Sequence, residues 1–227
     1  ATYTTSGFTL VDAGSAPVGI DLQRIEATGT SATVSIGNLV AESLTIYSYD
    51  GDGTFRYRVD GGSWVDVVGG GGGGTTATEI TGLTDAAHDI DIDLTGNPGT
   101  VQLLGFYSQR TADGVEISKA GNGGTTADDW STYATESAAY LSDIDPDVVF
   151  VSLGTNDAAG KETAANYKTQ MATILDAYTA AAPDASIVVM AAPHNGDDTT
   201  DLTPEYAVAL NDLVQDYPQA ELLNIEA

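Results

Sequence analysis

The chain has 227 residues, of which 42% are hydrophobic, and it carries 33 acidic against seven basic residues, which gives a formal net charge of −26. So dense a negative field repels nucleic acid and anionic membranes, and we expect neither as a partner. The absence of cysteine excludes disulfides and a thiolate nucleophile, and no run approaches the ~18 apolar residues of a membrane span.

The acidic residues are spread over both halves of the chain above ordinary apolar periodicity, which is not the pattern of a disordered segment. Lysine is nearly absent, whereas Asp, Thr, Ala and Gly are abundant. This composition predicts a protein adapted to molar salt, where a Debye length of about 3 Å screens the self-repulsion. An acidic extracellular protein from a less saline environment is the alternative. Because the first residue is Ala1, we expect a processed chain or part of a longer one.

Short β-rich runs separated by turn signals fill residues 1–110, and Asp50-Gly51-Asp52-Gly53 is one such turn signal. The rhythm predicts an all-β sandwich of the jelly-roll kind. The six glycines Gly69–Gly74 are expected to form a hairpin tip inside it. The predicted strands are Phe8–Val11, Ala32–Ile36, Leu44–Tyr49, Phe55–Val59, Trp64–Val68, Ile90–Leu94 and Val101–Phe106.

From residue 111 onwards strands alternate with helices. The alternation predicts an α/β domain over residues 111–227, with a parallel sheet and helices on both faces, as in three-layer flavodoxin-like folds. Thr126 is the expected N-cap of the first helix, with Asp129 at its third position. The predicted elements are strand Val115–Ser118, helix Thr126–Ser142, a strand from Val148, helix Thr163–Ala181, strand Ile187–Ala191, helix Pro204–Asp216 and strand Glu221–Ile225.

Three loops follow strands of this predicted sheet: Gly121–Thr125, Gly154–Asp157 and Pro193–Asp198. Open α/β sheets bind their ligands at the carboxyl ends of the strands, so we expect these loops to meet at one edge. The stretch Asp145–Asp157 is the most informative, because a buried apolar strand is followed by a glycine and then by two polar side chains. The sequence therefore predicts the functional site at this edge.

These motifs resemble those of the SGNH (GDSL-type) hydrolase family. Gly154-Thr155-Asn156-Asp157 matches its Gly-x-Asn-Asp motif, and Lys119-Ala120-Gly121-Asn122-Gly123-Gly124 matches its glycine motif at two glycines. The resemblance implies that the Gly124 backbone amide and the Asn156 side-chain amide would bind an oxyanion, each contributing ~3 kcal/mol in the transition state. A small sandwich followed by such a domain is similar to carbohydrate esterases and to tail or fibre proteins of viruses.

The catalytic pair of that family is not found. No Gly-Asp-Ser occurs, and only six residues separate Ser108 from Val115, too few for a parallel crossover, so the nucleophile is unknown. The Asp-x-x-His block is absent before Ala227, and we expect that the polypeptide continues beyond it. His194 is a tentative base, or a loop histidine lining a vestigial cleft, while His88 is expected to be a hydrogen-bonded strand residue.

No cofactor is predicted from the sequence, and the patterns that could bind calcium are weak. Asp50 and Asp52, and the aspartates between residues 197 and 201, have the oxygen density of calcium sites, but so acidic a composition produces such clusters by chance. Four aromatic residues are either a platform for sugar rings or core: Tyr47, Tyr49, Tyr57 and Trp64.

Two functions remain in competition. The first is a glycan-facing adhesion or receptor-binding module with an incomplete catalytic site, located extracellularly, on a cell surface or on a virion. The second is a secreted carbohydrate O-acyl esterase, and a purely structural surface protein is a third interpretation. The expected partner is a cell-surface glycan or glycoprotein, and the chain is expected to form a homo-oligomer or part of a larger assembly.

Overall fold

The computed structural model describes residues 1–12, 14–193 and 202–224. The chain divides into two compact units, Ala1–Ala120 and Gly121–Ala227, so the division falls after Ala120 rather than after Arg110. The expected strand Val115–Ser118 does not form, and Val115 is 89% exposed. A strand is stable only beside a hydrogen-bonded neighbour, and the described residues provide none for this segment.

The first unit contains two five-stranded sheets in which every strand pair is antiparallel. The strand orders are β1-β4-β9-β6-β7 and β2-β3-β10-β5-β8. The strands are β1 Thr2–Ser6, β2 Thr9–Val11, β3 Arg24–Thr28, β4 Thr33–Ala41, β5 Ser43–Tyr49, β6 Thr54–Val59, β7 Val65–Val68, β8 Thr75–Ile80, β9 Ala86–Asp93 and β10 Thr100–Gln109.

Both sheets contribute to one hydrophobic core. Val34 and Ile90 reach it from the first sheet, and Ile46 and Leu103 reach it from the second, all of them fully buried. Polar residues alternate with the apolar ones along the strands, as expected for antiparallel sheets with one solvated face. The unit therefore consists of two antiparallel sheets around a shared core, while its jelly-roll connectivity remains a prediction.

The glycine run Gly69–Gly74 is not a hairpin tip, which corrects the expectation from sequence. It connects β7, at the edge of the first sheet, with β8, at the edge of the second, so the chain changes sheets there. The carboxylate of Asp50 accepts hydrogen bonds from the backbone N–H groups of Gly70 and Gly72 and holds this crossing in place.

The second unit contains a three-stranded parallel sheet in the order β11-β12-β13. Thr126 caps the first helix in a capping box with Asp129, as predicted, but the helix ends early and a second helix follows after Tyr133. The elements are α1 Ala127–Thr132, α2 Ala134–Ile144, β11 Val148–Ser152, α3 Thr155–Ala159, α4 Ala164–Ala181, β12 Ser186–Met190, α5 Thr203–Leu213 with a 3-10 turn Val214–Asp216, and β13 Ala220–Leu223.

The described helices cover one face of this sheet. The crossovers from β11 through α4 to β12 and from β12 through α5 to β13 advance in the same direction, so right-handed connections place both helices on one side. Helices α1 and α2 pack against α4. On the opposite face Val148, Phe150 and Leu223 are 44%, 65% and 41% exposed. The described residues thus form two layers, not the three predicted.

Helix length and polarity also bear on membranes. None of the helices in the described part of the chain is both long and apolar enough to cross a bilayer.

Candidate functional site

The Gly-x-Asn-Asp turn lies directly after β11, and its glycine is required by the backbone. Gly154 has φ +119°, and a Cβ there would lie 3.1 Å from Tyr167 Oη and 3.2 Å from the Cβ of Ala192. No other residue fits this close approach without strain. The turn starts the short helix α3, which places Asn156 and Asp157 at the carboxyl end of β11.

The glycine loop in front of α1 is the second part of the site. Gly124 has φ +90°, and the space next to its Cα is open, with no atom within 4 Å of the point where a Cβ would lie. Thr125 Oγ1 donates to the carbonyl of Asn122 at 2.8 Å and accepts from Trp130 Nε1 at 2.9 Å. The loop around Gly124 is therefore shaped by its own hydrogen bonds and by the first turns of the helix that follows.

Two side chains join the turn to the loop. Asn156 Nδ2 donates to the carbonyl of Thr125 at 2.8 Å, and Asp157 Oδ1 accepts from the backbone N–H of Ala127 at 2.9 Å. A side-chain amide has two N–H groups, and the described residues engage one of those of Asn156. The second N–H can donate to a ligand next to the loop that contains Gly124.

Asp157 is a buried charge of this site, with 2% of its surface exposed. Burial raises the pKa of its carboxyl, against the opposing effect of the N–H groups of Ala127, Asp157 itself and Gly154. Its Oδ2 is buried and has no hydrogen-bond partner among the described residues. A carboxylate placed in this way is costly to the fold, which marks the position as unusual.

Two stacked tyrosines support the turn from the core side, and no pattern in the sequence pointed to them. Tyr167 Oη donates to the carbonyl of Leu153 at 3.0 Å, and Tyr206 Oη donates to that of Glu162 at 2.7 Å. Their ring centroids are 4.2 Å apart. Burial, followed by the charge of Asp157, raises the pKa of Tyr167 and raises that of Tyr206 to about 12. Both hydroxyls therefore remain neutral donors.

The structure brings Asn156 next to the loop of Gly124, whereas His194 lies outside the described residues. Ser108 is a residue of strand β10, opposite Leu44. The described histidine, His88, places Nδ1 2.7 Å from Asp60 and Nε2 2.8 Å from the carbonyl of Thr84. The described part of the chain thus contains no serine and histidine in contact.

The candidate calcium positions are occupied by protein hydrogen bonds. Asp50 binds the glycine run, and Asp52 accepts from the N–H of Thr100 at 3.0 Å. Residues 1–12, 14–193 and 202–224 contain no group of three or more His, Cys, Asp or Glu side chains suited to a metal. The aspartates between residues 197 and 201 lie outside that range.

The four candidate platform aromatics do not share one surface role. Tyr47 is buried, and Tyr57 packs against the core of the first unit. Trp64 is half-buried, and the guanidinium carbons of Arg56 and Arg58 lie 4.4 Å and 4.6 Å from the centroid of its ring. Tyr49 is half-buried as well. Of the four candidates, Trp64 is therefore distinguished by the guanidinium groups over its ring and not by its exposure.

Residues 74–224, more than half of the chain, match the GDSL-like Lipase/Acylhydrolase family. No curated protein matches the chain. A solved structure described as "Peptidoglycan O-acetylesterase in action, 5 min" is similar at 17% identity and a TM-score of 0.67, covering 99% of this chain and 65% of that one. The chain therefore spans less than two thirds of that protein, and the likeness concerns the fold alone.

Other carbohydrate esterases are more distant. A family two enzyme from Clostridium thermocellum, solved with cellohexaose, has 16% identity and a TM-score of 0.35, with 95% and 88% of the two chains covered. A family 3 enzyme from Talaromyces cellulolyticus has 24% identity and a TM-score of 0.39, with 52% and 56% covered. Superpositions this weak add nothing to the fold assignment.

Proposed function

The chain belongs to the GDSL-like lipase/acylhydrolase family, and on that premise we propose that it is the oxyanion-binding part of an esterase that removes O-acyl groups from cell-surface carbohydrate. One observation carries the proposal: the Asn156 side-chain amide is hydrogen-bonded to Thr125, the residue after Gly124. This bond supports the assignment of the two proposed oxyanion donors, Gly124 and Asn156, to neighbouring segments.

In the proposed reaction a serine hydroxyl attacks the ester carbonyl, and its proton passes to a histidine ring. As the bond from the carbonyl carbon to the sugar oxygen breaks, the histidine gives the proton to that oxygen, and the sugar leaves with a free hydroxyl. The carbonyl oxygen becomes negative in the tetrahedral intermediate. The N–H of Gly124 and the second N–H of Asn156 donate to it, each contributing ~3 kcal/mol. His194 is the proposed base, and water repeats the sequence to release the acyl group. The proposal leaves the serine unassigned.

A small acyl group such as acetyl on a neutral glycan is the proposed substrate. Open space beside Gly124 admits a carbonyl, and the net charge of −26 disfavours anionic polymers. One of the similar structures is described as a peptidoglycan O-acetylesterase, which supports acetyl as the proposed acyl group but not the neutrality of the glycan. The first unit, taken as a jelly-roll module, is proposed to bind the glycan, with Trp64 as its aromatic contact.

A second function is favoured by one specific observation: the described residues contain no serine in contact with a histidine, because the ring of His88 is occupied by Asp60 and Thr84. In this alternative the oxyanion donors remain as part of a binding cleft. The chain would then be an adhesion or receptor-binding module on a cell surface or virion, or in an extracellular assembly, and would bind glycan without cleaving it.

The two functions are separated by measuring acetate released from O-acetylated glycan and from p-nitrophenyl acetate. For an esterase, Asn156→Ala should lower kcat/KM by about 10²- to 10³-fold. Asn166→Ala is the matched control, because this exposed asparagine of α4 bonds only locally, to Glu162 at 3.0 Å. Glycan retention without release supports the binding module, and neither retention nor release rejects both functions.

A further inference from the structure

Among the described residues of the site, Asp157 is a buried ionisable group that oxyanion binding does not use. It follows Asn156 in the chain, and its Oδ1 accepts from the N–H of Ala127 at 2.9 Å. Its Oδ2 has no partner in the part of the chain that the structure describes. A buried carboxylate with one unpaired oxygen destabilises a fold, so the presence of Asp157 at this position requires a physical explanation.

The first reason for a carboxylate at this position is the backbone N–H of Ala127. Ala127 is the first residue of α1 and is fully buried. The side chain of the capping residue Thr126 accepts from the backbone N–H of Asp129 and not from that of Ala127. The N–H groups of a first helical turn have no partner within the helix. A buried N–H without an acceptor costs ~1–3 kcal/mol. Asp157 is the acceptor that the described residues offer to this N–H.

Asn156 provides the second reason. It binds the carbonyl of Thr125, while Asp157 binds the N–H of Ala127, so two successive residues grip the loop on either side of Thr126. Two attachment points restrain both the distance of the loop from α3 and its rotation, whereas one would leave it free to pivot. Gly124 has no side chain of its own for anchoring, so its N–H is positioned through these neighbours.

We infer that Asp157 is a positioning residue that holds the Gly124 loop at a fixed separation from the Asn156 amide. The role of this separation in oxyanion binding rests on the proposed esterase function, whereas the two hydrogen bonds that hold the loop do not depend on it. A site that binds an oxyanion gains from donors that are already in place before the reaction. Part of the folding cost of burying the carboxylate is offset by its hydrogen bond to Ala127, and the proposed gain to the site is a fixed position for its donors.

The test is an NMR comparison of the full chain with two variants at this position. Asp157→Asn keeps an acceptor oxygen near Ala127, and Asp157→Ala removes it. Asp157→Ala should shift the amide signals of Gly124 and Asn156 and speed hydrogen exchange at Ala127 about tenfold, the equivalent of one lost hydrogen bond. Asp157→Asn should restore most of both.

Ser137→Ala is the matched control. Ser137 is buried between α2 and α4, donates to the carbonyl of Ala134 at 3.2 Å and lies 3.4 Å from Tyr178 Oη. Its loss should weaken the unit without moving the Gly124 and Asn156 signals. If Ser137→Ala moves them as much as Asp157→Ala does, or if Asp157→Ala moves neither, the inference is wrong.

Of two further measurements, the first keeps the result decisive if Asp157→Ala does not fold, because it needs only the unmodified chain and Asp157→Asn. In the unmodified chain the amides of Ala127 and Asn156 should titrate together as the Asp157 carboxyl takes up a proton, and Asp157→Asn should abolish that titration. Their independence would overturn the inference. With an ester substrate, Asp157→Ala should lower kcat about tenfold and leave KM unchanged, by the loss of ~1.4 kcal/mol in the transition state. A chain without esterase activity refutes the proposed function but leaves the NMR result valid.

Discussion

Replacing Gly154 with alanine should destabilise the second unit by an amount that follows from two geometric features of the turn. A φ of +119° strains an L-residue by ~1–2 kcal/mol. The new methyl would lie 3.1 Å from Tyr167 Oη and 3.2 Å from Ala192 Cβ, and such overpacking costs ~1–3 kcal/mol. We therefore expect Gly154→Ala to lower the free energy of unfolding by ~2–5 kcal/mol, measured by urea denaturation.

A double-mutant cycle identifies the source of the effect. Tyr167→Phe alone leaves the carbonyl of Leu153 without its 3.0 Å donor and should cost ~1–2 kcal/mol. It also removes the hydroxyl that the new methyl meets, so the double variant should cost ~1 kcal/mol less than the sum of the single ones. Gly123→Ala is the control, since Gly123 has open space and no positive φ. A Gly154→Ala variant as stable as Gly123→Ala would refute the reasoning.

Three other predictions concern the first unit and the whole chain. The hydrogen bond of His88 to Asp60, and to a smaller extent that to Thr84, raises the pKa of His88. The stability that these bonds contribute is therefore complete below about pH 6.5 and is lost as the pH rises through the folded-state pKa. His88→Gln should remove this dependence from unfolding curves measured between about pH 5 and pH 9. Asn97→Ala should lower the free energy of unfolding by ~2–4 kcal/mol, because this buried side chain forms hydrogen bonds with Thr54, Gly29 and Gly99. An unchanged Tm in calorimetry would contradict this prediction. The net charge of −26 predicts that the free energy of unfolding rises from about 0.1 M to about 2 M NaCl, and a flat salt response would argue against adaptation to molar salt.

The sequence predicted the elements whose apolar pattern is local and strong. Helix α4, Ala164–Ala181, and strand β12, Ser186–Met190, lie within a few residues of their expected positions. Three strands of the first unit were missed: β1, β3 and β8. β1 and β8 are rich in threonine and mostly exposed, and β3 contains Arg24 and Glu26. Pairing with neighbouring strands, rather than an apolar run, makes these segments strands.

The candidate site was predictable where it depends on the local order of an apolar strand, a glycine and polar side chains. An apolar strand followed by a glycine places Asn156 at the carboxyl end of β11, as predicted. The strand itself is not buried as its apolar run predicted, because β11 is an edge strand with Val148 and Phe150 exposed. The contact between Asp157 and Ala127 joins residues 30 positions apart and could not be inferred from either segment alone. The stacking of Tyr167 on Tyr206 likewise depends on how α4 and α5 pack.

The exposed side of the parallel sheet predicts how the protein should respond to concentrated salt. Val148 and Phe150 of the edge strand β11 and Leu223 of the opposite edge strand β13 are exposed there, and neither strand has an outer neighbour in the described residues. In dilute buffer, repulsion between acidic molecules keeps such strips apart. Because salt weakens this repulsion, we expect the high salt concentration that should stabilise the fold also to favour association of molecules through this side.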